Sequence, residues 1–153
     1  MENGKIGSAL TVDGVKKTPM NLKDQLIRDE GLRLKPYKDT VDKLTIGVGR
    51  NLDDRGISND EAMYLLDNDI KSHTNDLLTA FPWVTKLDEA RRNVLINMVF
   101  NMGIDRFKAF KLTLAAIKEG NYELAAGHME DSLWYRQVGP RAARLASIMR
   151  TGG

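Results

Sequence analysis

The sequence predicts an α+β protein, mainly α: a small lobe carrying a short β-sheet, a long connecting helix, and a helical C-terminal lobe. Three observations predict it. A β-prone run with glycines, Thr45-Ile46-Gly47-Val48-Gly49, lies in the first third of the chain. Ser58-Asn59-Asp60-Glu61 is a capping box, and the helix it opens runs on toward Phe81-Pro82. Beyond Asp88, apolar residues recur at helical spacing in segments opened by capping residues and closed by glycine.

Residues 1–19 are weakly patterned. Thr11 to Lys16 suit a hairpin around Asp13-Gly14. An isolated hairpin is marginal in water, so its expected resting place is an exposed edge of the small sheet. With only Ile6, Leu10, Val12 and Val15 as sizeable apolar groups, this leader is expected to stand outside the core and to serve attachment, localisation or control. Leu22, Leu26 and Ile27 mark a short helix ending at Glu30, and Gly31 stops it as a left-handed cap. The chain turns through Pro36 into an extended segment, and Lys38-Asp39-Thr40 is turn-like. Asp53-Asp54-Arg55-Gly56 reads as a loop.

The long helix carries Met63, Leu66, Ile70 and Leu77 on one stripe and Asp60, Asp67, Lys71 and Asp76 on its polar face, which suits a strut between two lobes. Asp88 caps the next helix, Glu89 to Met102. Its apolar residues lie all around, so it is expected buried in a bundle, its methionines being core packing. Short helices follow at about 107–118 and 121–130, separated by Gly120, and Pro140 leads a last helix through Leu145 and Met149. Five or six helices are expected in 58–151. The expected organisation is a leader at 1–19 and one domain at 20–153, made of a small lobe (20–57), the connecting helix (58–80) and a helical lobe (81–153).

Composition bounds the function. At 29% charged and 42% hydrophobic residues the chain reads as an ordinary soluble globular protein. It has no cysteine, so no disulfide framework is possible. No apolar run approaches the ~18 residues of a membrane helix, and no secretory signal is legible. The expectation is folding in a cytoplasm, with no stable membrane insertion, and release by something else if the protein acts outside. Residues 1–78 carry 12 Lys and Arg against 14 Asp and Glu, whereas 79–153 carry 11 against 7, so the second half is basic. That half suits an anionic polymer. Nucleic acid and bacterial cell wall, whose peptide stems carry carboxylates, are both candidates by charge, but no nucleic-acid motif is present. His73 and His128 stand far apart with no Glu-x-x-His neighbour, so no metal is expected; without a Gly-rich phosphate loop or a Gly-x-Ser-x-Gly elbow, no cofactor is expected either.

The stretch Asp29 to Gly49 organises the chain. It puts Glu30 at a helix terminus, Asp39 in a turn nine residues on, and Thr45 at the start of a strand. A helix end packed on a hairpin brings all three to the lip of one groove. Two carboxylates in different surroundings suit glycoside cleavage, one donating a proton to the leaving oxygen and the other activating water or attacking. From spacing alone, acidic residues at helix ends and turns are more often merely structural.

Asp-Glu-Gly-Leu-Arg-Leu-Lys (29–35), Tyr-Lys-Asp-Thr (37–40) and Thr-Ile-Gly-Val-Gly (45–49) resemble the active-site segment of the phage lysozymes of the T-even type, glycoside hydrolase family 24. Leu95 to Gly103 and Ser132 to Gln137 also resemble that family, and the likeness runs from Met20 to Gly152. It implies a lysozyme-like fold and hydrolysis of the β-1,4 bond between N-acetylmuramic acid and N-acetylglucosamine in peptidoglycan, for host-cell lysis. It implies Glu30 as general acid, and Asp39 and Thr45 as the pair that holds the water. Because threonine is no carboxylate, the expected course is inverting. Arg141 is implied to reach across to Glu30. Phe100 and Asn101 follow substrate-contact positions, as do Asn51, Thr113 and His128, although these last three differ from the prototype's residues. Arg50 replaces the prototype's histidine, and Asp69 stands where its acidic partner is, so an Arg50–Asp69 pair is expected. The implied partner is bacterial peptidoglycan, reached by a monomer after release by a separate holin-type protein. A tail-associated enzyme that opens the wall at infection, and a catalytically silent wall-binding module, are the rival readings.

Overall fold

The computed structural model describes residues 10–12, 15–17 and 19–153. The chain forms two compact units, Met1–Glu61 and Ala62–Gly153.

In the first unit, β1 (Leu10–Val12) pairs antiparallel with β2 (Val15–Lys17), with Val12 opposite Val15; the expected turn residues Asp13 and Gly14 lie outside the described residues. These strands form a sheet of their own, not an added edge on the small sheet as the sequence suggested. Helix α1 (Leu22–Glu30) starts where the Asn21 side chain accepts from the Asp24 N–H at 2.9 Å. It stops at Gly31, as expected, where the glycine N–H closes on the Ile27 carbonyl at 2.8 Å. With φ 84° and ψ 156° the glycine is extended at ψ and is not the left-handed cap the sequence suggested; the positive φ still favours glycine. The small sheet has the order β3 (Arg33–Lys38), β4 (Leu44–Gly47), β5 (Arg50–Asn51), all antiparallel. The β4–β5 turn has two residues, Val48 and Gly49.

The segment after β5 is a helical turn, α2 (Leu52–Arg55), where a loop was expected. The Asn51 side chain accepts from the Asp54 N–H at 3.0 Å, and the Gly56 N–H returns to Leu52 at 3.0 Å, so a cap at each end stabilises one turn. Helix α3 (Asn59–Ala80) opens on the expected capping box: Glu61 N–H donates to Ser58 Oγ at 3.1 Å, and Ser58 N–H donates to Glu61 Oε1 at 2.8 Å. The boundary between the units falls within its first turn.

The second unit is all helix. After α3 come a 3₁₀ segment (Pro82–Lys86), α4 (Glu89–Met102), α5 (Ile104–Phe107), α6 (Lys111–Lys118), α7 (Tyr122–Glu130), α8 (Leu133–Val138) and α9 (Pro140–Thr151). The core gathers Leu95, Met98 and Val99 of α4 with Phe107, Ile117, Met129 and Met149. Apolar contact between these layers is the main stabilising term. Helix α4 is buried on one face only: Phe100 is exposed, and Ile96 and Met102 are partly so. Seven helices therefore stand where five or six were expected. The helix expected at 107–118 is divided at residues 108–110, where three-residue bonds close a turn: the Ala109 N–H donates to the Arg106 carbonyl at 3.1 Å and the Phe110 N–H to the Phe107 carbonyl at 3.0 Å. Phe107 is fully buried, edge-on to Phe81 at 6.0 Å, and stacks on Phe110 at 6.5 Å, which in turn lies edge-on to Trp134 at 5.9 Å.

Candidate active site

Glu30 is the last residue of α1, and its carboxyl lies against the β4–β5 turn. The approach is so close that a Cβ on Gly49 would stand 3.1 Å from Glu30 Oε1. Glycine is needed there twice over, since Gly49 also has φ 71°.

Asp39 sits at the other end of β4, in the turn from β3. Its Oδ1 accepts two main-chain N–H groups, Val41 at 2.9 Å and Lys43 at 2.8 Å, and its own N–H donates to the Lys43 carbonyl at 2.9 Å. Asp42 takes φ 64° to close the turn, an uncommon conformation for a residue with a side chain. Among the described residues of this unit, Asp39 Oδ2 accepts no hydrogen bond. Thr45 is 3% exposed, in the middle strand, opposite Tyr37 on one side and Asn51 on the other. Its hydroxyl donates to the Lys43 carbonyl at 2.8 Å. A hydroxyl has one hydrogen, so towards a ligand Thr45 Oγ1 can only accept.

The turn is tied down by residues the sequence reading passed over. Leu44 N–H donates to Asp53 Oδ2 at 2.7 Å, and Lys43 Nζ meets Asp54 Oδ1 at 3.1 Å. The signal that was available is Asn51 followed three residues later by Asp54, a capping pattern that would have announced α2. Both polar atoms of the Asn51 side chain serve that cap: Oδ1 accepts from Asp54 N–H, and Nδ2 donates to Asp54 Oδ2 at 3.0 Å.

Arg50 does not take the expected partner Asp69. Its two terminal nitrogens donate to both carboxylate oxygens of Glu61, at 2.8 and 2.7 Å, and Nη1 also meets the Gly56 carbonyl at 3.2 Å. The planar guanidinium matches a carboxylate in a fork, and the capping box already holds that carboxylate near the end of β5. The Arg50 hydrogen bond, foremost, and the Ser58 N–H hold the Glu61 carboxyl down to about 2.

In the second unit the structure groups the remaining expected positions differently. Thr113 (4% exposed) and His128 line one cavity of about 440 Å³ with Phe110, Leu112 and Trp134. Phe100 and Arg141 line another of about 410 Å³ with Asn97 and Ile96. Arg141 is held by Asn97, Nε to the side-chain oxygen at 2.9 Å and Nη2 to the carbonyl at 3.3 Å. Asn101 accepts from Trp134 Nε1 at 2.9 Å.

Residues 28–149 match the family described as phage lysozyme. The chain belongs to that family. It is 31% identical over 161 aligned residues to Probable T4-type lysozyme 1 of Dictyostelium discoideum, covering 86% of this chain and 95% of that protein. Probable T4-type lysozyme 2 of the same organism is also 31% identical, with the same shares of both chains covered. The Pre-baseplate central spike protein Gp5 of Enterobacteria phage T4 is 30% identical over 87% of this chain but only 28% of its own length. As a phage lysozyme the chain is a glycosidase that hydrolyses peptidoglycan.

Proposed function

We propose that this lysozyme cleaves the β-1,4 bond between N-acetylmuramic acid and N-acetylglucosamine by a single inverting displacement, with Glu30 as general acid and Asp39 and Thr45 holding the attacking water. The observation that carries the reading is the pattern of open acceptors. Asp39 Oδ1 is committed to two N–H groups and the Thr45 hydrogen to the Lys43 carbonyl. What remains is Asp39 Oδ2 and a lone pair of Thr45, two acceptors for the two hydrogens of one water. A water so held turns its own lone pair outward as nucleophile, and Asp39 takes its proton as the bond forms. The two acids are anchored at opposite ends of β4, which rises roughly 10 Å over its four residues. That suits the wide spacing that leaves room for water, and a threonine beside Asp39 cannot form a glycosyl ester. Arg141 is kept as the partner that the resemblance gives to Glu30, and Asn51, Phe100, Asn101, Thr113 and His128 as substrate contacts.

The direct test has two parts. Glu30→Gln keeps the shape of the side chain but removes its proton; wall-lysis activity should fall roughly 10²- to 10⁴-fold, and a fall of less than tenfold removes Glu30 from the role. NMR of the first-formed product should show the α-anomer at the new reducing end, and a β-anomer overturns the inverting course. Complete inactivity of the parent protein on permeabilised bacteria would instead favour a silent wall-binding module.

For setting, the proposal is host lysis by a monomer made in the bacterial cytoplasm and released to the wall by a separate holin-type protein. Producing the protein in bacteria should leave the culture intact until the inner membrane is permeabilised. Lysis without that step overturns the dependence on a separate release protein. The likeness to a stretch of the spike protein favours, as second reading, a tail-associated enzyme that opens the wall at infection; finding the protein in purified virions would decide for it.

A further inference from the structure

We infer that Asp53 is a positioning residue of this site, acting through the peptide unit between Lys43 and Leu44. The inference rests on the reading above, in which Asp39 and Thr45 hold the water.

One peptide unit joins the two groups. The Lys43 carbonyl accepts from the Asp39 N–H at 2.9 Å and from the Thr45 hydroxyl at 2.8 Å. That carbonyl and the Leu44 N–H belong to the same planar, rigid peptide, so whatever fixes the N–H fixes the oxygen. The ladder between β4 and β5 gives the Leu44 N–H no strand partner, because β5 ends at Asn51, opposite Thr45. Asp53 Oδ2 fills the place at 2.7 Å, the short distance of a charge-assisted bond. An acid in a helix's first turn is favoured by the helix dipole without any outside partner; Asp53 nonetheless reaches back to the strand. Its neighbours hold α2 to the same segment: Asn51 pairs with Thr45 and caps the helix, and Asp54 meets Lys43 Nζ at 3.1 Å. Without the Asp53 bond, the peptide can tilt about its two flanking torsions. The Thr45 hydroxyl would follow the carbonyl, and its lone pair would swing away from the water.

The chemistry calls for an acceptor at Asp53, not for a charge. Asp53→Ala should lower kcat on soluble wall fragments about tenfold, a partial misplacement on the scale where 1 Å costs roughly a hundredfold, with KM within twofold. Asp53→Asn, which still offers an oxygen to the Leu44 N–H, should recover most of kcat. Amide exchange at Leu44, read by NMR, should speed up in Asp53→Ala and not in Asp53→Asn, a readout independent of turnover. In a Thr45→Val background, Asp53→Ala should have a smaller effect on kcat, because only the Asp39 N–H bond to the same carbonyl is left to loosen. An unchanged kcat in Asp53→Ala, an Asn variant as slow as the Ala variant, or a loss confined to KM each overturns the inference. Asp39→Asn separates the two levels: if it stays active, the reading of the site fails; if it is inactive while Asp53→Ala is unaffected, only the role of Asp53 fails.

Discussion

Replacing Gly49 by alanine and, separately, Gly47 by alanine tests the seat of Glu30 with a built-in control. Both glycines have φ 71°, so both substitutions place a side chain in the left-handed region. The expected strain is about 1–2 kcal/mol in each case, which lowers the melting midpoint by roughly 2–8 °C for a chain of this size. The surroundings differ. A Cβ at position 47 meets no atom within 4 Å, whereas one at 49 meets Glu30 Oε1 at 3.1 Å and its carboxyl carbon at 3.4 Å. Ordinary contact begins at 3.4 Å, so the Glu30 carboxyl must retreat by about 0.3 Å. The side chain is exposed and flexible, so it yields, and that movement falls on the proposed acid. Taking a hundredfold loss per ångström of misplacement, kcat should drop roughly fourfold in Gly49→Ala beyond any loss in Gly47→Ala. The assay is turnover of wall fragments at saturating concentration, at a temperature well below both midpoints, so that strain alone does not depopulate the folded state. Equal activity in the two variants would refute the placement of Glu30 against the turn, or its part in turnover. A larger midpoint loss in Gly49→Ala with unchanged kcat would mean that the close approach is only packing.

Other polar ties carry consequences of their own. Glu61 is held down to about 2 from an ordinary 4.5; a lowered folded pKa stabilises above the unfolded value and fades as pH falls toward the folded one. Between pH 4.5 and 2, the parent should therefore lose stability that Glu61→Gln does not lose, as read by urea midpoints against pH, and identical slopes would break the link. Arg50→His should bring the tie into the neutral range: a histidine gaining Glu61 as partner stabilises at low pH and loses that contribution as pH rises past about 6.5, so the midpoint of this variant should fall between pH 6 and 8 where the parent's does not. Arg91 bonds the Met149 carbonyl at 2.7 Å and the Arg150 carbonyl at 3.1 Å, capping α9, with its guanidinium 3.7 Å above the Tyr122 ring. Lysine cannot make that fork, and Arg91→Lys should cost about 1–3 kcal/mol with activity per folded molecule unchanged; an unmoved melting midpoint would count against the cap.

What was legible in the sequence is what short-range chemistry dictates. The end of α1 at Glu30, the turn at Asp39, the capping box at Ser58 and the cap at Asp88 each depend on a few neighbouring residues, and each stands in the structure. What escaped depends on where the chain returns. Asp53 and Asp54 look like loop residues until Leu44 and Lys43 come to meet them. The turn at 108–110 lets Phe107 and Phe110 stack on each other between Phe81 and Trp134, an arrangement no periodicity reports. The Arg50 pair shows a third limit. Position-by-position likeness put Asp69 opposite it, but arginine is longer than the histidine it replaces and carries a fork. Glu61, already oriented by the Ser58 N–H, offers that fork both oxygens.

The two proposed acids are anchored in opposite ways, and the difference suits their tasks. Asp39 is locked: one carboxylate oxygen takes two N–H groups, the main chain closes a ring with Lys43, and Asp53 secures the same peptide unit from the far side. Glu30 is placed by the stop of a helix and by contact with a glycine turn, and within its own unit no described donor bonds its carboxyl. In an inverting displacement, the water must already lie on the correct face of the sugar when the bond breaks, and a loosely held acceptor would lose that orientation before reaction. The proton donor follows a leaving oxygen that moves as the bond lengthens, so some freedom of the side chain does no harm. The rigid anchoring therefore stands where the nucleophile is held, and the packed but unbonded carboxyl stands where the proton leaves. This asymmetry gives the Asp53 and Gly49 variants different signatures. Loosening the Lys43–Leu44 peptide should slow the attack of water more than it slows proton donation, so Asp53→Ala should be as slow on substrates with a good leaving group as on native wall fragments, relative to the parent. Shifting Glu30 with Gly49→Ala should matter least on those activated substrates, because their leaving oxygen hardly needs the proton.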